Sequence, residues 1–216
     1  KSAFCSYGLK QSANAPVSAE AIAAVNAALD HLMSSETLSP TLAGMKPANL
    51  ISLPYQNEEQ ARADIREMNR IFVRKGLRAV PLNFRKSHVL LYLYRPASLK
   101  QEFAGERVRS FLEPLGYDCS DADRCVVKLG EKIRAGRDSA EFPHEVGIFL
   151  GYPLEDVEGF IRNNGQKFLC VGEWKVYENS KAKQKLFQKY DYTRENLIQL
   201  LSCGIRMDQI VNIMGA

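Results

Sequence analysis

Residues 77–95 read LRAVPLNFRKSHVLLYLYR and decide the fold class. Two apolar runs with β-forming residues, 77–84 and 88–95, flank the short linker RKS. Runs of this kind on either side of a short polar linker predict an antiparallel β-hairpin. Pro81 has no amide hydrogen for a sheet ladder, so we expect an edge strand or a bulge at that position.

Further apolar patterns add strands and helices to this hairpin. NLISLP at 49–54 and KFLCVGEWKVY at 167–177 each predict a strand, and a stripe of apolar residues after Ser18 predicts a helix over about 18–35. No regular strand-helix alternation is present. The sequence therefore predicts an α+β fold, in which a small, mostly antiparallel four-stranded sheet including hairpin 77–95 packs with six or seven helices.

Composition narrows the class of protein. The chain has 216 residues, of which 45% are hydrophobic, and no linker or low-complexity segment divides it, so we expect a single domain over 1–216. The apolar runs fall short of the ~18 residues that cross a bilayer, and no signal peptide is recognisable, which predicts a cytoplasmic protein without a membrane partner. Five scattered cysteines without a CxxC pair predict reduced thiols and no metal site.

The stretch HEVGIFLGYP at 144–153 places His144 and Glu145 on an otherwise apolar run. A zinc protease motif would need a second histidine where Ile148 stands, so that interpretation fails. Adjacent helical residues lie about 100° apart, so one of the pair can face a cleft while the other stabilises the helix start. Gly147 indicates close packing or the approach of a ligand.

A second group of polar residues precedes and follows the predicted strands. Thr41 and Lys46 lie in the loop TLAGMKP before the strand at 49–54, and Arg95 ends the hairpin. Donors at such positions suit a phosphate or carboxylate, although the loop lacks a phosphate-binding glycine motif. The candidate ligand-binding residues are Thr41, Lys46, Arg95, His144, Glu145 and Tyr152.

A basic face is predicted on the helix at 58–75, where arginines recur at every fourth position: Arg62, Arg66, Arg70 and Arg74. A charged, solvated helix face explains the pattern, because Glu58 lies four residues before Arg62. A surface that tracks phosphates is the alternative, but no nucleic-acid-binding motif accompanies it.

The chain resembles a bacterial family known only as domain of unknown function 3793. The resemblance rests on four segments in matching order: SPTLAGMKPANL (39–50), VLLYLYRP (89–96), FPHEVGIFLGYPLEDVEGFI (142–161) and GEWKVY (172–177). It covers about residues 37–214 and leaves the predicted helix at about 18–35 outside. The resemblance implies a soluble bacterial protein and supplies no established activity. Relatives carry a His-Cys pair before Pro-Thr-Leu that is missing here, so thiol or metal chemistry does not carry over.

Two functional hypotheses remain open. One is a pocket protein, enzymatic or not, that binds a small and possibly anionic molecule near the six candidate residues. The other is a non-catalytic interaction protein whose basic helix 58–75 binds an acidic partner or nucleic acid. We favour the pocket and do not expect nucleic acid as a partner. The sequence identifies no cofactor, reaction or oligomeric state.

Overall fold

A computed structural model describes residues 38–136, 142–205 and 209. The helix predicted at 18–35 lies outside the described residues. So does, apart from residue 209, the run RMDQIVNIM at 206–214, which predicts a final short helix. The elements are α1 (Ser39–Leu42), β1 (Ala48–Pro54), α2 (Glu58–Phe72), β2 (Arg78–Phe84), β3 (His88–Tyr94), α3 (Pro96–Ala104), α4 (Glu106–Leu112), α5 (Ala122–Ala135), α6 (Val146–Phe149), α7 (Leu154–Arg162), β4 (Cys170–Val171), β5 (Lys175–Val176) and α8 (Ser180–Ser202), with 3₁₀ turns at Val73–Lys75 and Glu113–Leu115.

The predicted hairpin is confirmed. Strands β2 and β3 pair antiparallel from Arg78 opposite Tyr94 to Phe84 opposite Val89. Strand β1 pairs with the other side of β3, so the order is β1-β3-β2 and β2 is an edge strand. The register shifts between Pro81 and Asn83, which is the irregularity expected where a ladder donor is missing.

The predicted four-stranded sheet is wrong in detail, because the described residues form a three-stranded sheet and a separate two-stranded one. The run at 167–177 is a small hairpin, β4 and β5, that turns at Gly172. A Cβ atom on Gly172 would lie 2.2 Å from Cδ2 of Phe187, so only glycine allows α8 to approach this turn. A lone glycine among β-forming residues does not by itself predict that the chain reverses direction.

The helix count is also higher than the predicted six or seven, since eight α-helices occur within the described ranges. The sequence from Ser98 to about Gly116 predicts one helix, but Gly105 adopts an extended conformation and separates α3 from α4. Two of the eight, α1 and α6, are single turns of four residues. Segments this short carry too little periodicity to be recognised in a sequence.

Strand β3 lies at the centre of the sheet and divides the core into two layers. Its side chains alternate, so Leu91 and Leu93 pack with α2 on one face while Tyr92 and Tyr94 pack with α3, α5 and α6 on the other. Burial on both faces explains why the run HVLLYLY is almost wholly apolar. A third, smaller cluster joins the β4-β5 hairpin to α8 through Trp174 and Phe187.

Helix α2 lies where the sequence predicts the helix at 58–75. Asn57 caps its start by accepting hydrogen bonds from the amides of Glu59 and Gln60, at 2.8 and 3.2 Å. The apolar stripe at 65, 68 and 72 is buried against the sheet, and each such side chain stabilises the fold by ~1.5–3 kcal/mol relative to exposure. No helix among the described residues has the length and apolarity to cross a membrane.

Candidate functional site

A cavity of about 200 Å³ lies between α6, α7 and the β4-β5 hairpin. Most of its lining is apolar or aromatic: Val146, Gly147, Tyr152, Val157, Phe160 and Trp174. A tight bend joins the one-turn helix α6 to helix α7, so these two helices form two sides of the cavity. The β4-β5 hairpin forms the third side. Three polar side chains, His144, Asp156 and Lys175, complete the lining.

Asp156 holds the walls of the cavity together. Its side chain is buried, and one carboxylate oxygen accepts a hydrogen bond from Trp174 Nε1 at 2.7 Å. The other oxygen accepts from the amides of Tyr177 and Glu178, at 2.7 and 3.2 Å. These bonds fasten the hairpin and the chain entering α8 to α7. The carboxylate is fully engaged and serves as a structural clamp.

Lys175 is the cation of the cavity. Its Nζ donates to the carbonyl of Gly165 at 2.8 Å and lies 5.7 and 5.1 Å from the ring centroids of Phe160 and Phe168. No carboxylate in the described part of the chain pairs with it. A half-buried ammonium that has only a carbonyl and two aromatic faces beside it is suited to receive an anion.

His144 and Glu145 point to different surroundings, but they lie in the turn before α6 and not on the helix as the sequence predicts. The exposed His144 ring lies 5.0 Å from Phe160 and marks the solvent side of the cavity. Glu145 is buried on the opposite side, where it accepts from Lys132 Nζ at 2.6 Å and from Tyr117 Oη at 3.0 Å. Burial, and then the charge of Glu145, raise the pKa of Tyr117, which therefore remains a donor. Glu145 belongs to the core of the fold.

Tyr152 connects the cavity to a buried lysine. Its ring stacks on Trp174 at 4.8 Å, and Lys46 Nζ lies 5.4 Å from the Tyr152 centroid and 3.7 Å from Glu173 Oε2. Glu173 also accepts from Arg194 at 2.7 Å. Burial lowers the pKa of Lys46, and Glu173 opposes that shift. Three of the four segments that carry the resemblance meet in this Lys46-Tyr152-Trp174 column.

Thr41 and Arg95 lie together, and the Arg95 side chain is engaged with main-chain carbonyls. The guanidinium of Arg95 donates to the carbonyls of Thr41 at 2.9 Å, Leu42 at 2.6 Å and Lys75 at 3.3 Å. Gly44, with φ of 71°, makes the turn of this loop. The loop that we expected to receive an anion is thus closed by Arg95. Because the most distinctive motifs of the chain should meet if they share a function, the sequence predicts that His144 lies within reach of Arg95 or of the 41–46 loop, and this stays a prediction.

The structure therefore divides the six candidates. His144 and Tyr152 line the cavity, and Lys46 lies against Tyr152. The side chains of Glu145 and Arg95 bind partners elsewhere in the fold, whereas Thr41 meets Arg95 through its carbonyl and its buried hydroxyl has no hydrogen-bond partner among the described residues. Sequence reasoning missed Lys175, Phe160 and Asp156. The sequence contains one signal for Lys175, because it is the one cationic residue of GEWKVY and stands among β-forming residues. Within the described ranges, no group of three His, Cys, Asp or Glu residues could hold a metal ion.

The arginine face of α2 forms ion pairs along its own helix. Arg62 donates to Glu58 at 2.9 Å and lies 4.0 Å from the ring centroid of Phe84, while Arg70 pairs with Glu67 at 3.0 Å. Arg66 and Arg74 are exposed. The opposite face, at 65, 68 and 72, is buried. These contacts favour a solvated helix surface over a ligand-binding one.

Replacing Arg66 with alanine is expected to change the free energy of unfolding by about 0.5 kcal/mol or less, because its side chain is exposed. Arg62→Ala should cost about 1 kcal/mol, since it loses both the Glu58 pair and the Phe84 ring. Urea denaturation of the two variants measures the difference. Equal effects, or salt-sensitive binding of an oligonucleotide that both variants weaken, would contradict the solvated-surface interpretation.

Comparison with known proteins gives one match. The model of a family described as a protein of unknown function, DUF3793, matches residues 35–211. No curated protein and no solved structure matches the chain.

Proposed function

The chain belongs to the DUF3793 family, whose description assigns no activity, and we propose from the cavity itself that it binds a small organic anion with an apolar body. The Lys175 ammonium, which has no carboxylate partner among the described residues and lies beside an apolar cavity, carries this proposal. The apolar body would fill the space between Val146, Val157 and Trp174. Its acidic group would remain at the solvent side and pair with Lys175.

The size of the cavity limits the ligand. Pockets for drug-sized molecules measure ~300–1,000 Å³, whereas this cavity measures about 200 Å³. A single ring or a short branched chain fits that volume. Aromatic side chains line the cavity, and such lining favours flat apolar groups. The proposal concerns binding alone, because Asp156 already accepts three hydrogen bonds.

Phenylacetate is the probe that tests this proposal, and Trp174 is the reporter. Trp174 is the only tryptophan of the chain and lines the cavity, so an occupant should change its fluorescence. We expect phenylacetate to bind tighter than neutral phenylacetamide. The substitution Lys175→Met should weaken phenylacetate binding about tenfold or more, because a charge-assisted hydrogen bond contributes ~1.5–3 kcal/mol. Phenylacetamide binding should change less than about twofold.

Lys181→Met is the matched control, because Lys181 is an exposed lysine of α8 outside the lining. It should leave both affinities unchanged. Circular dichroism of each variant checks that the fold is retained. Equal affinities of phenylacetate and phenylacetamide for the unaltered protein would refute the role of Lys175. Unchanged Trp174 fluorescence at millimolar ligand would refute the cavity itself.

A further inference from the structure

An exposed apolar surface surrounds the solvent side of the cavity. Four of the ten large apolar side chains that the described residues leave exposed belong to it: Phe142, Phe168, Leu169 and Val171. We call this set the hairpin surface. Leu169 and Val171 are the most exposed, at 61% and 59%. Exposed apolar side chains that cluster in this way mark binding surfaces more often than isolated ones do.

The hairpin surface is continuous with the cavity. A chain of ring contacts runs from Phe142 to His144 at 6.5 Å and from His144 to Phe160 at 5.0 Å, and Lys175 then bridges Phe160 and Phe168. Val171 lies opposite Lys175 in the β4-β5 pairing. Leu169, two residues earlier, shares that side of the hairpin. One occupant can therefore contact both the cavity and the hairpin surface.

The charge of this region is basic. Residues 159–172 contain Arg162 and Lys167 but no aspartate or glutamate, and Lys175 adds a third cation. None of the three pairs with a carboxylate among the described residues. A second copy of the chain, placed with the same surface facing this one, would set cations against cations. An acidic partner is complementary in charge.

We infer that the cavity and the hairpin surface together bind an acidic polypeptide segment, which inserts one aromatic side chain into the cavity. A volume of about 200 Å³ suits one such side chain. Protein interfaces concentrate their binding energy in aromatic anchors that fill pockets, surrounded by contacts that exclude water. Acidic residues beside the anchor would pair with Lys175, Lys167 and Arg162. This inference rests on the proposed function, since both use the same cavity and the same ammonium.

Two probes separate the inference from the proposed function. One is phenylacetate, and the other is a capped heptapeptide with a central phenylalanine, a neighbouring leucine and five acidic residues. We expect the peptide to bind at least about tenfold tighter than phenylacetate in a Trp174 fluorescence titration. The same peptide with alanine at its centre should lose most of that affinity, and one with lysines for the acids should not bind.

Variants of the hairpin surface complete the experiment. The pair Leu169→Ser and Val171→Ser should weaken peptide binding about tenfold and leave phenylacetate binding unchanged, since both side chains are exposed and lie outside the cavity lining. Ile198→Ser, at an exposed apolar residue of α8, is the control and should change neither affinity.

The results of these titrations distinguish failure of the inference from failure of the proposed function. If phenylacetate binds and the peptide binds no tighter, or if the serine variants leave peptide binding intact, the inference is refuted while the proposed function stands. If neither probe binds, both are refuted. If the peptide fails while oligothymidine or phosphatidylglycerol vesicles bind and the serine variants abolish that binding, the hairpin surface belongs to nucleic acid or lipid, and the inference is overturned.

Discussion

Replacing Asp156 with alanine is expected to lower the free energy of unfolding by about 3–5 kcal/mol. The carboxylate is buried and accepts hydrogen bonds from Trp174 Nε1 and from the amides of Tyr177 and Glu178. Alanine would leave these three donors without an acceptor, and each unsatisfied buried donor costs ~1–3 kcal/mol. The hairpin and the entrance to α8 would lose their attachment to α7.

Glu155→Ala is the matched control for Asp156→Ala. Glu155 is the preceding residue of the same helix and pairs with Lys183 at 2.8 Å, but it is only half-buried. Its removal should cost about 1 kcal/mol or less. Urea denaturation followed by Trp174 fluorescence compares the two. If both variants unfold at the same urea concentration, Asp156 is not a clamp, and its carboxylate must then be considered as a chemical group of the cavity.

The central sheet could be predicted because its signals are local. The hairpin at 77–95 combines two β-forming runs, a short linker and a proline that fits an edge strand, and all of these lie within nineteen residues. The run at 167–177 predicts one strand because it is rich in β-forming residues, and the ring of Phe187 that packs on Gly172 lies outside the run. A contact of that range leaves no trace in local periodicity.

The candidate site was harder to predict, because polar residues in apolar runs have two explanations. Glu145 and Arg95 looked like ligands, yet each is satisfied by partners distant in sequence: Lys132 for Glu145, and the carbonyls of Thr41 and Leu42 for Arg95. The sequence marks Lys175 only as the one cation of GEWKVY, and a lysine on an edge strand is an ordinary surface residue. Its lack of a carboxylate partner is visible only once the surrounding chain is in place.

The two glycines of HEVGIFLGYP allow close packing. For Gly147, this favours close packing over the approach of a ligand, the two explanations that the sequence leaves open. A Cβ atom on Gly147 would lie 2.7 Å from Val157 Cγ2 and 3.1 Å from Tyr152 Cδ2. Gly147 therefore lets α7 and Tyr152 pack against α6, as the packing interpretation predicts. Gly151 performs the equivalent role toward the loop at 41–47, because a Cβ there would lie 2.3 Å from Pro47 Cδ.

Gly151→Ala is expected to lower the free energy of unfolding by about 3 kcal/mol or more. Gly151 has φ of 75°, a conformation that costs alanine ~1–2 kcal/mol. The new methyl group would also overlap the buried, rigid ring of Pro47, and overpacking of this kind costs ~1–3 kcal/mol. Thermal or urea denaturation measures the sum.

Gly204→Ala isolates the backbone part of this cost. Gly204 has the same φ of 75°, but nothing lies within 4 Å of its added Cβ, so we expect a loss of about 1–2 kcal/mol there. The excess at Gly151 then measures the contact with Pro47. Pro47→Ala in the Gly151→Ala background should restore part of that excess, because it removes the overlapping ring atoms. If the two glycine variants are equally stable, Pro47 does not pack closely against Gly151. The position of the 41–47 loop, which places Lys46 beside Tyr152, is then contradicted.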